Sequence, residues 1–228
     1  MTTTGAALRL GVLSVVPSPY QRDLFAALAA RPDVELSVHY LEAAAPDSPW
    51  PQQPLAGHER VLDGRWVALG STRWHQCAPL AVLGRFDFLI VNSYMSSTAQ
   101  RLMRQRRVPW GFWGERLRPQ PGPLRAAAQA VLTAPLRRAS MIAAIGRLAV
   151  REYTARLPGA RVVNIPYFCA LAGFRESPAR PAAGVGRLRL LFCGQMIERK
   201  GIDLLLAAFA RLIADGLDLE LALVGREA

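Results

Sequence analysis

The chain has 228 residues, of which 51% are hydrophobic and 20% are charged, and its formal net charge is +11 at pH 7. This composition is typical of a folded globular protein and excludes a disordered or fibrous chain. No apolar run reaches the roughly 18 residues of a membrane-spanning helix. The three cysteines lack the paired spacing of a zinc site or a disulfide framework, which favours a reducing, cytoplasmic location.

The positive charge is concentrated in the N-terminal part of the chain. Residues 1–172 contain 20 arginines and 10 acidic residues, whereas residues 173–228 contain eight basic and seven acidic residues. An anionic membrane surface is one partner that basic helices with interleaved apolar residues favour. A solvated surface in an arginine-rich protein explains the same charge. No nucleic-acid recognition module is present, so nucleic acid is not expected as a partner.

The N-terminal part alternates between strand and helix patterns. Residues 8–16 form an apolar strand pattern, residues 21–30 a helix pattern, and residues 34–41 a second strand pattern. Further strands are predicted over residues 65–69, 86–92, 108–114, 141–145 and 161–165, and helices over 96–107, 123–138 and 147–157. The alternation predicts an α/β fold, a Rossmann-like doubly wound parallel sheet.

A change in composition predicts a second, smaller domain. Residues 173–186 are rich in proline, glycine and small residues, which is typical of an interdomain linker. Residues 1–172 are therefore predicted to form the first domain. Residues 187–228 are predicted to begin a second Rossmann-like domain, which we expect to be incomplete because 42 residues are few for a sheet with its own core.

The second domain opens with a strand, a loop, a helix and another strand. Residues 188–193 form an apolar strand, a helical apolar face begins at Ile202, and leucines alternate over residues 217–223. The loop before the helix contains Lys200, the only lysine in the chain. Helix N-termini that follow parallel strands attract anions, so the loop is a candidate anion site. A solvated lysine at a helix start is the alternative.

The stretch Phe192-Cys-Gly-Gln-Met-Ile-Glu-Arg-Lys-Gly-Ile-Asp-Leu-Leu-Leu206 resembles the opening of the C-terminal domain in retaining GT-B glycosyltransferases of family 4. In that family an Arg and a Lys contact the diphosphate of a nucleotide-sugar donor. Lys200 matches the family Lys, and Gln195 stands where the Arg is usual. The resemblance implies that the donor diphosphate is bound by Gly194, Gln195, Arg199 and Lys200.

Two N-terminal segments are similar to the same family. The first consists of residues 144–153 together with residues 164–168, and the second is Trp113-Gly-Glu115 at a predicted strand end. The resemblance implies transfer of a sugar from a UDP- or GDP-sugar to a hydroxyl acceptor, a glycan or a lipid-linked one, with retention at the anomeric carbon. It implies no cofactor and no metal. The enzyme would be cytoplasmic, or peripheral on the inner face of the cell membrane.

Polar residues at predicted strand ends are the candidates for the acceptor and sugar side of the site, since ligands of open α/β sheets bind there. They are Ser18, Tyr20, Gln21, Asn92, Ser93 and Tyr94. Glu115 is the candidate catalytic residue, because a carboxylate there would bind an acceptor hydroxyl or act as a base. An ion pair with Arg116 or Arg118 is its alternative role. The three histidines lack metal-ligand spacing and are interpreted as structural.

Two other functions remain open. A GT-B nucleotide-sugar epimerase would share the fold and need no acceptor. A non-catalytic N-domain that binds a membrane or a partner protein would need no donor. The family's paired sugar-binding glutamates would lie beyond Ala228, and we therefore expect residues 1–228 alone to be inactive.

Overall fold

A computed structural model describes residues 6–44, 53–69, 72–77, 85–117, 119–171 and 187–225. The chain forms two compact units, Met1–Ala170 and Leu171–Ala228. The linker predicted over residues 173–186 lies outside the described residues. In the described part of the chain, no helix has the length and apolarity needed to cross a membrane.

The first unit contains nine described strands and four α-helices. The strands are β1 (Leu8–Ser14), β2 (Val34–Tyr40), β3 (Glu59–Val61), β4 (Gly64–Leu69), β5 (Thr72–Cys77), β6 (Phe88–Val91), β7 (Trp110–Gly114), β8 (Met141–Ala144) and β9 (Val162–Asn164). The helices are α1 (Pro19–Ala29), α2 (Ser97–Arg104), α3 (Pro123–Thr133) and α4 (Arg147–Arg156).

Seven of these strands form one parallel sheet in the order β3-β2-β1-β6-β7-β8-β9. The chain builds outward from β1 to β3 and then returns to place β6 on the other side of β1. This reversal of strand order is a topological switch point, the position where open α/β sheets bind ligands. The predicted α/β, Rossmann-like fold is confirmed.

Both faces of the sheet are buried, which explains the apolar strands. Consecutive residues point to opposite faces, so Val12 and Leu13 on β1 belong to two different core clusters. Val12 packs in the cluster that includes Phe25 of α1. Leu13 packs in the cluster that includes residues of α2 and α4. Helices on the two faces make the sheet doubly wound, as predicted.

Several element boundaries differ from the predictions. The helix predicted over residues 96–107 ends at Arg104, because the Gln105 backbone is extended there. The helix predicted over 123–138 changes at Ala134 to a 3₁₀ helix that ends at Arg138. Pro135 lies in that segment and has no N–H to continue an α-helical ladder.

The strand predicted over residues 65–69 is not part of the central sheet. It is one arm of an antiparallel hairpin, β4 with β5, and β5 itself was not predicted. His75, one of the three histidines interpreted as structural, lies within β5 and is buried. β5 shows no alternation of apolar residues, since Trp74 and Cys77 are three positions apart, so its sequence resembles that of a loop.

The second unit contains β10 (Leu188–Cys193), a 3₁₀ turn (Glu198–Lys200), α5 (Ile202–Ala214) and β11 (Leu219–Val224). β10 and β11 pair in parallel, from Leu188 opposite Leu219 onward. α5 begins after Gly201 at φ 70° and ends before Gly216 at φ 86°, left-handed conformations that favour glycine. The predicted strand–loop–helix–strand order is confirmed.

Candidate functional site

The first candidate site lies at the carboxyl edge of the seven-stranded sheet, at the switch point. Ser14 ends β1, and Asn92 directly follows β6, its parallel neighbour. The Asn92 N–H donates to the Leu13 carbonyl, so the two strand ends are in register. Gln21, in the first turns of α1, lies against both, and the structure buries its side chain and that of Ser14.

These side chains form one hydrogen-bond network. Gln21 Nε2 donates to Asn92 Oδ1 over 3.1 Å, and Asn92 Nδ2 donates to the Trp113 carbonyl over 2.7 Å. The Ser14 hydroxyl lies 3.1 Å from Gln21 Oε1 and 3.2 Å from Asn92 Oδ1, with one proton for the two acceptors. The network therefore joins the ends of β1, β6 and β7 to α1.

Ser18 precedes α1 and has a buried hydroxyl. Its side chain is 3% exposed, and Oγ has no hydrogen-bond partner among the described residues. The backbone is extended there, at φ −108° and ψ 141°, as at a helix N-cap, yet the side chain makes no capping bond. Leaving a buried hydroxyl unpaired costs about 1–3 kcal/mol. A polar ligand at this helix N-terminus would satisfy it.

Glu115 follows β7 and is held by two tyrosines. The Tyr153 hydroxyl donates to the Glu115 backbone carbonyl, and the Tyr167 hydroxyl donates to Glu115 Oε1, each over 2.7 Å. Partial burial, followed by the bond to Glu115, raises the pKa of Tyr167, so this hydroxyl stays a proton donor. Arg116 forms no described ion pair with Glu115, and Arg118 lies outside the described residues.

Aromatic rings connect Glu115 to α1. The ring of Tyr167 meets the ring of Tyr20 edge-on at a centroid distance of 4.3 Å and lies 6.2 Å from the ring of Trp113. The Ala170 N–H donates to Asp23 Oδ2 of α1. Residues 165–170 therefore lie back over α1 and bring Tyr167 to the site.

Ser93 and Tyr94 have structural partners in the turn after β6. Ser93 Oγ accepts the N–H of Met95, and the Tyr94 carbonyl accepts Nε2 of Gln100. The Tyr94 hydroxyl accepts Nε2 of Gln129 on α3. These contacts order the turn and attach α3 to α2.

The structure thus brings five predicted residues to one edge, namely Ser18, Tyr20, Gln21, Asn92 and Glu115. Ser14 and Tyr167 were not among the site residues predicted from the sequence. Ser14 was missed because the predicted strand extended to residue 16, whereas β1 ends at Ser14. Tyr167 lies in the segment 164–168 that resembles the family, but the sequence does not indicate its contact with Glu115, 52 residues away.

A half-buried charge cluster that was also missed lies beyond the end of β2. Glu42 accepts from Arg73 through one carboxylate oxygen and contacts His75 Nε2 through the other. The Arg73 guanidinium lies 4.0 Å from the ring centre of Trp66. Ser97 Oγ donates to the His75 carbonyl. The cluster therefore attaches the β4–β5 hairpin to the sheet and to α2.

The second candidate site is the loop between β10 and α5. The Gly194 N–H donates to the Val224 carbonyl, so the loop starts at the carboxyl end of both strands. The 3₁₀ turn uses the N–H groups of Lys200 and Gly201, which donate to Ile197 and Glu198. The first N–H groups of α5 have no partner within the helix and none among the other described residues, so they can donate to an anion.

The charges at this loop are mixed. The Lys200 side chain is exposed and has no described ion pair, and the Arg199 side chain lies outside the described residues. Glu198 and Asp203, both exposed, flank Lys200 in sequence. These carboxylates oppose the attraction of an anion, so binding there depends on Lys200 and the helix N-terminus together. Gln195 is half-buried, and its carbonyl accepts the Ile197 N–H.

No protein-family model matches the chain, and no curated protein shows significant similarity to it. The structure defines the first unit as a Rossmann-like α/β fold with its polar network at the switch point.

Proposed function

We propose that the protein is a GT-B-type glycosyltransferase that moves a sugar from a UDP- or GDP-sugar to a hydroxyl acceptor with retention and without a metal. The main support for the proposal is that Ser18, Tyr20 and Glu115 lie around the hydrogen-bond network of Asn92 at the switch point. This edge is where a substrate of an open α/β sheet is expected.

In this proposal the first unit binds the acceptor. Tyr167 occupies one oxygen of Glu115, which leaves the other to accept a hydrogen bond from the acceptor hydroxyl. The unpaired Ser18 hydroxyl donates to a sugar or acceptor oxygen. Tyr20 supplies an aromatic surface beside them. Ser14, Gln21 and Asn92 position these groups.

The second unit binds the donor diphosphate. Lys200 and the free N–H groups of α5 offset the negative charge that develops on the leaving group. Such a contact is stronger in the transition state than in the ground state, so it favours turnover more than binding. The Gly194–Gly201 loop can supply this stabilisation from its own residues.

A lipid-linked acceptor at an anionic membrane surface agrees with the exposed face of α3. Leu124 is 85% exposed and Val131 is 64% exposed, with the exposed Arg125 beside Leu124. Apolar and cationic side chains together favour a lipid–water interface. Association would weaken with salt, because polybasic attraction is screened.

The proposed donor site in the β10–α5 loop is tested by nucleotide binding. We expect UDP or GDP to bind the protein, and Lys200→Ala to weaken that binding about tenfold or more, because a hydrogen bond to a charged group is lost. Arg211→Ala is the matched control, a cation in the last turn of α5. Isothermal titration calorimetry measures both. Equal affinities for the three proteins would contradict the assignment of the loop.

The chemistry is tested with donors labelled in the sugar. In the full-length enzyme we expect transfer to a hydroxyl acceptor with retained configuration, and a large loss of transfer in Glu115→Gln but not in the exposed control Glu35→Gln. Chromatography of the products and NMR of the new linkage give the result. Acceptor-independent formation of an epimeric nucleotide-sugar would replace the proposal with the epimerase.

A further inference from the structure

A cavity at the amino edge of the sheet lies at the opposite end of the strands from the candidate acceptor site. It measures about 550 Å³ and is bordered by the segment before β7 and the segment before β8. Because β7 and β8 are adjacent and parallel, the residues preceding them meet at this edge. Arg106 and Arg107 come from the first segment, and Arg138 and Ser140 from the second.

The Gln105 side chain holds the first wall in place. Its Oε1 accepts the N–H groups of Arg107 over 2.6 Å and Val108 over 3.0 Å, and its Nε2 donates to the Val108 carbonyl over 2.9 Å. Val108 and Trp110 are buried in the core beneath. The turn that carries Arg106 and Arg107 is therefore fixed at both ends.

The second wall is fixed by the sheet itself. The Ser140 N–H donates to the Trp110 carbonyl over 2.8 Å and extends the pairing of β7 with β8. The 3₁₀ helix that carries Arg138 is anchored by Leu136, a core residue. Arg138 and Ser140 are themselves exposed.

The three guanidinium groups have no carboxylate partner in the part of the chain that the structure describes. Arg106, Arg107 and Arg138 belong to none of the ion pairs among the described residues. The sequence offers little neutralisation nearby, since Glu115 is the only acidic residue between positions 88 and 151, where there are 11 arginines. Three cations of like sign beside one cavity repel each other unless an anion lies between them.

We propose that this cavity binds a phosphate group with two negative charges, a monoester or a diphosphate. A guanidinium presents a planar fork that suits phosphate oxygens, and three forks suit a group with three terminal oxygens better than a carboxylate with two. The Ser140 hydroxyl adds a donor. Trp110 is buried and presents no face for stacking a base, so single-stranded nucleic acid does not fit this cavity.

The test compares two triple variants of equal charge. Arg106→Gln/Arg107→Gln/Arg138→Gln removes the cavity cations, and Arg60→Gln/Arg101→Gln/Arg151→Gln removes three exposed arginines elsewhere on the unit. Both are made in a Lys200→Ala background, so that the donor loop does not contribute. Pyrophosphate is titrated by calorimetry near physiological salt. Thermal unfolding checks that both triple variants fold.

We expect the cavity variant to lose at least about tenfold in affinity and the control variant to change little. Flotation then separates the two sources of the phosphate. A preference for phosphatidic acid over phosphatidylglycerol vesicles, lost in the cavity variant alone, assigns a lipid headgroup. Pyrophosphate binding without that preference assigns a free phosphate compound. The proposal would be overturned if both triple variants bound pyrophosphate with equal affinity, or if the Lys200→Ala parent did not bind pyrophosphate.

Discussion

Asn92 joins the ends of three strands through one side-chain amide. Its Nδ2 donates to Trp113 on β7, and its Oδ1 meets Gln21 and the hydroxyl of Ser14 on β1. The Trp113 carbonyl can only accept, which determines which end of the Asn92 amide points toward it. A polar network that is satisfied in this way positions the groups around it.

Removing that amide should destabilise the first unit. Asn92→Ala removes the acceptor of Gln21 Nε2 and the side-chain donor to the Trp113 carbonyl, and we expect a loss of about 1–3 kcal/mol in the free energy of unfolding. Urea unfolding followed by tryptophan fluorescence measures it. Asn164→Ala is the control, because Asn164 is exposed and its Oδ1 accepts a single N–H from Gly146. Similar losses in both variants would argue against a special role for the network.

Helix α1 is attached to the edge strand β3 by one buried ion pair. Glu59 accepts Nε and Nη2 of Arg22, the hydroxyl of Tyr40 and the N–H of Ala56. Burial alone would raise the pKa of Glu59, but the bonds from Arg22, Ala56 and Tyr40 outweigh it and lower that pKa. The Glu59 side chain is 1% exposed, so solvent screens the pair little.

The lowered pKa predicts a loss of stability in acid. A carboxyl group whose pKa is lower when folded contributes fully above its unfolded pKa, here 4.5, and its contribution is lost as the pH falls through the folded-state pKa. We expect the unfolding free energy to fall less between neutral pH and about pH 3 in Glu59→Gln than in the parent protein. Glu35→Gln, at an exposed position, should keep the parent's pH dependence. An unchanged slope in Glu59→Gln would refute the assignment.

The elements that the sequence predicts well are those whose burial is uniform. The strands β1, β7 and β8 are apolar because both faces of the sheet are covered, so each is visible in the sequence as a short apolar run. β3 is three residues long, and β5 lies in a hairpin outside the main sheet, so neither shows a periodic hydrophobic pattern in the sequence. The candidate site was predictable where polar residues end a strand, as at Asn92. Tyr167 comes from a distant segment, and only the tertiary fold reveals it.

At the scale of the whole molecule, the division near residue 170 should be accessible to a protease. In this region trypsin can cleave after Arg175, Arg180 or Arg187. A proline follows Arg180 and blocks cleavage there, and Arg187 pairs with Asp218. We therefore expect the first cut after Arg175, which releases an N-terminal fragment that unfolds cooperatively. Mass spectrometry of early digests identifies the cut. Early cuts within residues 100–165, with this region protected, would refute the division into domains.

The single lysine of the chain has a practical consequence. Lys200 is exposed at the start of α5 and carries the only side-chain amine in the sequence. An amine-directed fluorophore applied at high pH would therefore label the β10–α5 loop and the α-amino group and no other position. Because arginines supply the other positive side-chain charges, such labelling leaves the charged side chains of the first unit unchanged. The protein thus carries its own attachment point for a reporter beside the candidate donor loop.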